Sequence, residues 1–126
     1  MKFYMENSTS IEDVKKVFTH YYPCLKIEFY KTLTDGKPNY SKKEALPANF
    51  VLGKILKPSD NAIIDMDETV TVAALETQIA DIGLTAEVFR KSGNVWVETS
   101  LTNNWTLQQQ NAEAEELNRH FNQQIL

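Results

Sequence analysis

The sequence is poor in the residues that build disulfide scaffolds and cysteine-rich metal centres. Its 126 residues include one cysteine, so no internal disulfide can form, and neither a CxxC motif nor a Cys/His ligand spacing occurs. No apolar run approaches the roughly 18 residues that span a bilayer. The first seven residues also lack the apolar stretch of a secretory signal. We therefore expect a cytoplasmic protein that binds no membrane.

Sequence motifs for catalysis and cofactor binding are missing as well. There is no GxSxG, HExxH, P-loop, GxGxxG or EF-hand pattern. Asp65, Asp67 and Glu68 could offer oxygen ligands to Mg²⁺ or Ca²⁺, but acidic residues before a helix are equally favoured by the helix dipole. His20 and Cys24 flank a helix C-terminus, where the dipole opposes a thiolate, and this favours structural roles for both. We expect no cofactor and no metal, and nothing here supports catalysis.

The charge is moderately acidic and unevenly distributed. The chain has 17 acidic and 13 basic residues, for a net charge of −4; residues 1–60 carry +3 and residues 61–126 carry −7. Binding to nucleic acid depends on neutralising phosphates, so an acidic chain is a poor match. With 42% hydrophobic and 10% aromatic residues, the composition is that of one folded domain spanning 1–126.

A weak internal repeat organises the chain. Shifting the sequence by 61 residues aligns apolar positions of an N-terminal segment with those of a later one, as Phe3 with Ile64 and Phe18 with Ile79. The chain then divides into a first βαβ unit (2–31), a long connection (32–61), a second βαβ unit with a hairpin strand (62–100) and a C-terminal helix (106–124).

Local signals place the helices and turns within each unit. Ser10 and Thr71 precede apolar stripes of helical period and are predicted N-caps. Pro23 and Gly83 are predicted to end the two helices. Gly93 and Asn94 predict a tight hairpin turn. Thr106 is the predicted N-cap of the last helix.

This order predicts an α+β fold of ferredoxin-like tandem βαβ units, with an antiparallel sheet, an added fifth strand and a C-terminal helix. Alternation in the strands and the helical stripes define the expected core. Its members are Ile11, Val14, Phe18, Leu25, Ile27, Phe29, Ile64, Leu75, Ile79, Leu84, Val88 and Val97.

The opposite sheet face is predicted to be aromatic, and it is the candidate interaction surface. The same alternation puts four aromatic side chains there beside Glu28, Glu87, Glu98 and Asp65, and these acids argue against RNA. We expect this face to be covered by the terminal helix or by a second subunit, since monomers seldom expose large apolar patches. The candidate residues, with those of the terminal helix, are Tyr4, Tyr30, Phe89, Trp96, Trp105, Leu117 and Phe121.

One stretch near the C-terminus resembles a group of small bacterial proteins of uncharacterised function. It reads SGNVWVETS from Ser92, followed by a T-x-x-WTL-x-x-QN pattern from Thr102. The resemblance implies a standalone cytoplasmic domain and carries over no activity and no site residue.

The function that we expect is a non-enzymatic protein–protein interaction domain whose partners include a second copy of itself. The alternative is a small-molecule-binding or enzymatic domain with a pocket between the sheet and the 32–61 connection. An interaction domain should show a concentration-dependent mass, whereas an enzyme should show converging titratable groups in a concave pocket.

Overall fold

The computed structural model describes residues 1–31, 45–56 and 62–125, which form an α+β arrangement of five strands and three α-helices. This architecture, with its C-terminal helix, confirms the predicted fold class. The elements in chain order are β1 (Lys2–Met5), α1 (Ile11–Tyr21), β2 (Leu25–Lys31), β3 (Ala62–Asp65), α2 (Val72–Ala80), β4 (Leu84–Ser92), β5 (Val95–Glu98) and α3 (Leu107–Ile125). Short 3₁₀ turns cover Leu52–Lys54 and Ser100–Thr102.

The predicted caps of the first two helices are confirmed. The Asp13 amide donates to Ser10 Oγ at 3.2 Å, and the Asp13 carboxylate accepts from the Ser10 amide at 3.0 Å, so α1 begins with a capping box. At the start of α2, Thr71 Oγ1 accepts from the Ala74 amide at 3.1 Å. Each side chain satisfies a backbone donor that the first helical turn would leave unpaired.

The helix ends follow from proline and glycine. α1 ends at Tyr21, two residues before Pro23. α2 ends at Ala80, three residues before Gly83, which adopts a φ of 93°. That conformation strains any residue with a Cβ, and it lets the chain turn directly into β4.

The strands pair in two antiparallel ladders. β1 pairs with β3, while β2, β4 and β5 form a three-stranded sheet in that order. The strand and helix order is consistent with a ferredoxin-like arrangement, but the single sheet that the sequence predicts is divided in two among the described residues. The reason is that each strand of the first unit pairs with the equivalent strand of the second unit.

The β1–β3 ladder includes the pair of Phe3 and Ile64, which are 61 residues apart in the sequence. The neighbouring pairs are Lys2 with Asp65 and Tyr4 with Ile63. In the other ladder, Glu28 lies opposite Glu87 at the middle of the seven paired residues. Each ladder therefore joins one strand of the first βαβ unit to one strand of the second unit.

Of the core residues that the sequence predicts, one is not buried. All the predicted members other than Val97 are buried, whereas Val97 is 39% exposed. β5 pairs only with Phe89–Ser92 at the far end of β4, and all four of its residues are exposed. The prediction for Val97 is wrong because alternation reports which face a residue is on but not whether anything covers that face.

The described part of the long connection packs against the start of α1. Leu52 is fully buried, and its amide donates to the Thr9 carbonyl at 2.9 Å. The Ile11 amide donates to the Phe50 carbonyl at 2.9 Å. A side chain at Gly53 would place a Cβ 2.8 Å from the Asn7 carbonyl oxygen, so only glycine fits this approach. The sequence Ser41-Lys42-Lys43-Glu44, a capping-box pattern that predicts a short helical turn, lies outside the described residues.

Candidate interaction surface

The outer face of the three-stranded sheet carries the aromatic and charged residues that alternation predicts. In β2, Leu25, Ile27 and Phe29 are buried on the inner face, and the residues between them point to the opposite side. Strand register brings the outward residues of β4 and β5 beside them. We call this set the outer face: Lys26, Glu28, Tyr30, Thr85, Glu87, Phe89, Lys91, Trp96 and Glu98.

A lysine at the centre of the outer face holds two aromatic rings. The Lys26 Nζ lies 5.2 Å from the ring centroids of both Phe89 and Trp96. It also lies 3.9 Å from a carboxylate oxygen of Glu28. A cation–π contact of this kind contributes about 0.5–1 kcal/mol at an exposed site. Lys26 therefore contacts both rings and favours the position of Trp96 against the sheet.

The outer face also contains a like-charge pair. Glu28 and Glu87 are directly opposite in the β2–β4 ladder. Such a pair is destabilising unless it is compensated. The Lys15 ammonium of α1 donates to both carboxylate oxygens of Glu28, at 2.9 and 3.1 Å. Lys15 thus neutralises one member of the pair.

Tyr30 of the outer face stays protonated because burial, and then the neighbouring acidic groups, disfavour its ionised form. Burial is the first cause that raises the pKa of Tyr30, followed by the charges of Glu87, Glu28 and Glu98. A raised pKa keeps the phenol protonated well above neutral pH. Tyr30 is therefore a hydrogen-bond donor here and is not prepared to act as a base or nucleophile.

The edge of the sheet at β5 is hydrophobic and exposed. Val95 is 60%, Trp96 40% and Val97 39% exposed. Within the described residues no strand pairs with β5 on the side away from β4. The other edge differs, because Tyr30 of β2 forms a bridge with Ala45. Natural proteins usually protect a sheet edge with charge, proline or a covering segment.

The C-terminal helix packs on the inner face of the sheet, and its described side chains do not cover the outer face. Leu107 and Ala114 are fully buried, and so is Gln110, whose side-chain oxygen accepts from Arg90 at 3.1 Å. Arg90 shares the inner face with Val88 by alternation. The expectation that α3 covers the outer aromatics in the same chain is wrong, because its buried stripe is directed at the opposite face.

Polar side chains of α3 attach it to the sheet. Asn111 Oδ1 accepts from the Cys24 amide at 2.9 Å, and Asn118 Oδ1 accepts from the Gly93 amide at 2.8 Å. Asn118 Nδ2 also donates to the Lys91 carbonyl at 3.1 Å. The hydrophobic pattern of the sequence does not predict these contacts. Positions 107, 110 and 114 follow helical spacing, so Gln110 could have been placed on the buried stripe despite its polarity.

The structure brings together only part of the predicted surface. Tyr30, Phe89 and Trp96 share the outer face, whereas Tyr4 lies in the separate β1–β3 ladder and is 66% exposed. Trp105 lies on the α3 side, where its ring is 5.8 Å from the Arg90 guanidinium. The remaining two candidates are on α3: Leu117 is 47% exposed, and the side chain of Phe121 lies outside the described residues.

A separate pocket of about 330 Å³ lies where β3 leads into the loop before α2. Its lining includes Tyr22, Met66 and Asp67. The Tyr22 hydroxyl donates to the Met66 carbonyl, and burial, followed by the charges of Glu68 and Asp65, raises the pKa of Tyr22 to about 12. The Tyr22 hydroxyl is thus engaged in a hydrogen bond that stabilises the fold. The pocket predicted between the sheet and the 32–61 connection would involve residues that lie largely outside the described ranges.

Two of the other residues that the sequence offered for chemistry, Asp65 and Asp67, take part in local hydrogen bonds of the fold. The Asp67 amide donates to Asp65 Oδ1 at 3.0 Å, and the Asp65 amide donates to Gln78 at 2.8 Å. In residues 1–31, 45–56 and 62–125 no three ligand-type side chains converge as a metal site would require. Burial, then the charge of Glu115, raises the pKa of the Cys24 thiol, which disfavours the thiolate.

Comparison with known proteins adds no assignment, since no family model, curated protein or solved structure matches the chain. In the described part of the chain no helix is both long and apolar enough to cross a membrane. The outer face and the β5 edge are therefore the features from which a function can be inferred.

Proposed function

We propose that this protein is a non-enzymatic interaction domain that binds other proteins, including a second copy of itself, through the outer face and the β5 edge. The observation that carries the proposal is the run of three exposed hydrophobic residues, Val95, Trp96 and Val97, on an edge strand that nothing in the described chain covers. Burying them would remove apolar surface from water and satisfy the main chain of the edge.

The composition of the outer face supports a protein partner over a nucleic acid. Tryptophan and tyrosine are enriched among the residues that dominate protein interfaces. Trp96 is held in place by Lys26, so little conformational entropy would be lost when a partner covers it. Three glutamates on the same face, Glu28, Glu87 and Glu98, would repel phosphates.

Two further inferences belong to this proposal. We place the protein in the cytoplasm, in keeping with a single cysteine that is a free thiol. We also infer that the two βαβ units are an internal duplication. The pairing of Phe3 with Ile64, the two residues that the 61-residue offset aligns, supports the duplication.

Sedimentation velocity over a wide concentration range tests the proposal. We expect the mass to rise from that of one 14.4 kDa chain towards that of two as concentration increases. Val95→Lys should weaken the association at least tenfold, because lysine on an edge strand opposes pairing. The matched control is Leu101→Lys, which makes the same change in charge at a residue that is 97% exposed but lies outside β5.

The control separates the surface from a general effect of charge. Association that Leu101→Lys leaves intact and Val95→Lys weakens supports the proposed surface. If both variants associate equally, the interface lies elsewhere on the protein and the assignment to β5 is overturned. A chain that stays at the mass of one copy up to hundreds of micromolar would overturn self-association.

A further inference from the structure

We infer that β5 pairs antiparallel with β5 of a second copy, about a two-fold axis that passes between the two Trp96 residues and joins two three-stranded sheets into one of six strands. This inference rests on the proposed function and specifies its partner. It depends on three observations: the direction of the main-chain groups of β5, the positions of its hydrophobic residues and the path of the chain after Glu98.

The first observation is that the Trp96 main chain points away from β4. The Lys91 amide donates to the Cys24 carbonyl at 2.9 Å, so the Lys91 main-chain groups are directed towards β2. Lys91 is the ladder partner of Trp96. In an antiparallel ladder such a pair exchanges no hydrogen bonds, and the N–H and C=O groups of both residues point outward. Trp96 and, two residues on, Glu98 therefore present donors and acceptors at the free edge.

The second observation concerns the positions of the hydrophobic residues, because two-fold symmetry allows them only a few strand registers. A two-fold axis perpendicular to the sheet keeps each residue on its own face, so residues opposite one another must be an even number of positions apart. Three registers centre on an apolar residue of β5, and they put Val95, Trp96 or Val97 opposite the same residue of the second copy. The register centred on Val95 would put Val97 opposite Gly93 of the hairpin turn, so Val97 would gain no apolar neighbour.

The register centred on Trp96 uses every hydrophobic residue of the edge. The two Trp96 residues exchange a pair of main-chain hydrogen bonds, and each Val95 lies opposite a Val97 of the second copy. All three exposed hydrophobic residues then gain an apolar neighbour across the junction. The register is thus set by the same match of side chains that fixes register within a sheet.

The third observation excludes the register centred on Val97. That register would put Val95 opposite Thr99 of the second copy. Thr99 is buried, and its hydroxyl donates to the Val88 carbonyl of β4 at 2.8 Å, so the chain leaves the edge at this point. It continues into the 3₁₀ turn Ser100–Thr102. Val95, which has the largest exposed fraction of the three hydrophobic residues, would remain uncovered in that register.

The interface predicted in this way is small. A strand of four residues supplies few main-chain bonds, and interfaces well below about 1,200 Å² belong to weak or transient complexes. We therefore expect an association that reverses readily on dilution. The outer faces of both copies lie on the same side of the joined sheet, so the two Trp96 side chains and the two Lys26 side chains form one continuous surface.

Disulfide trapping in the full chain tests the register. In a Cys24→Ser background, Val95→Cys and Val97→Cys are made separately, one of them with a mass tag, and mixed at equal concentration under mild oxidation. In the inferred register these positions form a pair without hydrogen bonds, with Cα atoms about 4.5 Å apart, which a disulfide can span. The variants keep Trp96. Circular dichroism confirms that each variant is folded, and Leu101→Cys measures random collision.

The outcomes separate the register from the proposed function. The inference expects the mixed disulfide to form at least tenfold faster than the Leu101→Cys dimer and faster than either variant links to itself. A dominant homodimer of either Val97→Cys or Val95→Cys would overturn the Trp96 register. Linking at the collision rate, in a parent chain that still associates by sedimentation, would overturn pairing through β5 and leave the interaction domain standing. A parent chain that never associates would overturn both.

Discussion

Glu28 and Glu87 face each other at the centre of the β2–β4 ladder, where the two βαβ units meet. Because residues directly opposite one another in an antiparallel pair lie on the same face, the two glutamates form a like-charge pair. The Lys15 ammonium compensates for it by donating to both oxygens of Glu28. The charge conflict is therefore resolved by a residue of α1 from outside the sheet.

Removal of that compensation should destabilise the fold. We expect Lys15→Met to lower the free energy of unfolding by up to about 1 kcal/mol, the upper range for ion pairs that are partly exposed. The control is Lys16→Met, which removes an exposed i,i+4 pair with Glu12 and should cost about 0.3–0.5 kcal/mol. Glu87→Gln should recover part of the Lys15→Met loss in the double variant. Urea denaturation measures each value, and an equal loss for both lysines would contradict the compensation.

The local elements of this fold are predictable because their signals are local. Ser10 and Thr71 cap the helices as their sequences indicate, and Gly93 and Asn94 form the predicted turn. The pairing of strands is not local. Alternation in β2 identifies a buried face, but the choice of β4 as its neighbour depends on contacts between units that no short segment specifies.

The interaction surface was only partly predictable, because alternation within a strand is a local signal and the packing of α3 is not. The sequence placed Phe89 and Trp96 on one face, and the structure confirms that they share it with Lys26 between them. It does not show which face of the sheet α3 packs on: the spacing of Gln110 predicts burial, but the partners of Gln110 and Asn118 depend on the tertiary fold. Polar residues become buried where the fold supplies matching hydrogen bonds, and that match is a tertiary property.

The contrast between Phe18 and Val97 tests the corrected core. Phe18 is fully buried, and Phe18→Ala should lower the free energy of unfolding by about 3–5 kcal/mol. Val97 is 39% exposed, so Val97→Ala should cost less than about 1 kcal/mol. Urea denaturation should be done at low protein concentration, where the proposed association does not contribute. If Val97→Ala lowers the free energy of unfolding as much as Phe18→Ala does, Val97 belongs to the core after all.

The attachment of α3 to the hairpin makes a third prediction. Asn118 bonds to the Gly93 amide and the Lys91 carbonyl, and Asn118→Ala removes both bonds together with the bond that the side chain donates to the Ala114 carbonyl within α3. We expect a loss of about 1–3 kcal/mol from the two bonds to the hairpin, at roughly 0.5–1.5 kcal/mol each. Arg119→Ala is the neighbouring control, since it removes only an exposed pair with Glu116. Hydrogen exchange at the Gly93 amide should accelerate in Asn118→Ala alone, and unchanged exchange would argue against the attachment.

Alkaline pH should destabilise the fold through Tyr22. Its pKa is raised from 10.0 to about 12 in the folded state, chiefly by burial. Below pH 10 the phenol is protonated in both states, and the stabilising effect is complete. As the pH rises from about 10 towards 12, the unfolded chain loses the proton first, so the free energy of unfolding falls. Urea denaturation between pH 8 and pH 11 measures the slope.

Tyr22→Phe separates this effect from the other tyrosines. The variant loses the hydrogen bond to the Met66 carbonyl, which should cost about 0.5–1.5 kcal/mol at pH 8. Above pH 10 the gap between variant and parent should narrow, because phenylalanine has no proton to lose when the chain unfolds. Tyr30, whose pKa is also raised, keeps some alkaline decline in both proteins. Tyr4→Phe, at a residue that is 66% exposed, is the matched control and should retain the parent's stability at pH 8. A gap between Tyr22→Phe and the parent that stays constant from pH 8 to pH 11 would show that the Tyr22 hydroxyl ionises alike in the folded and unfolded chains.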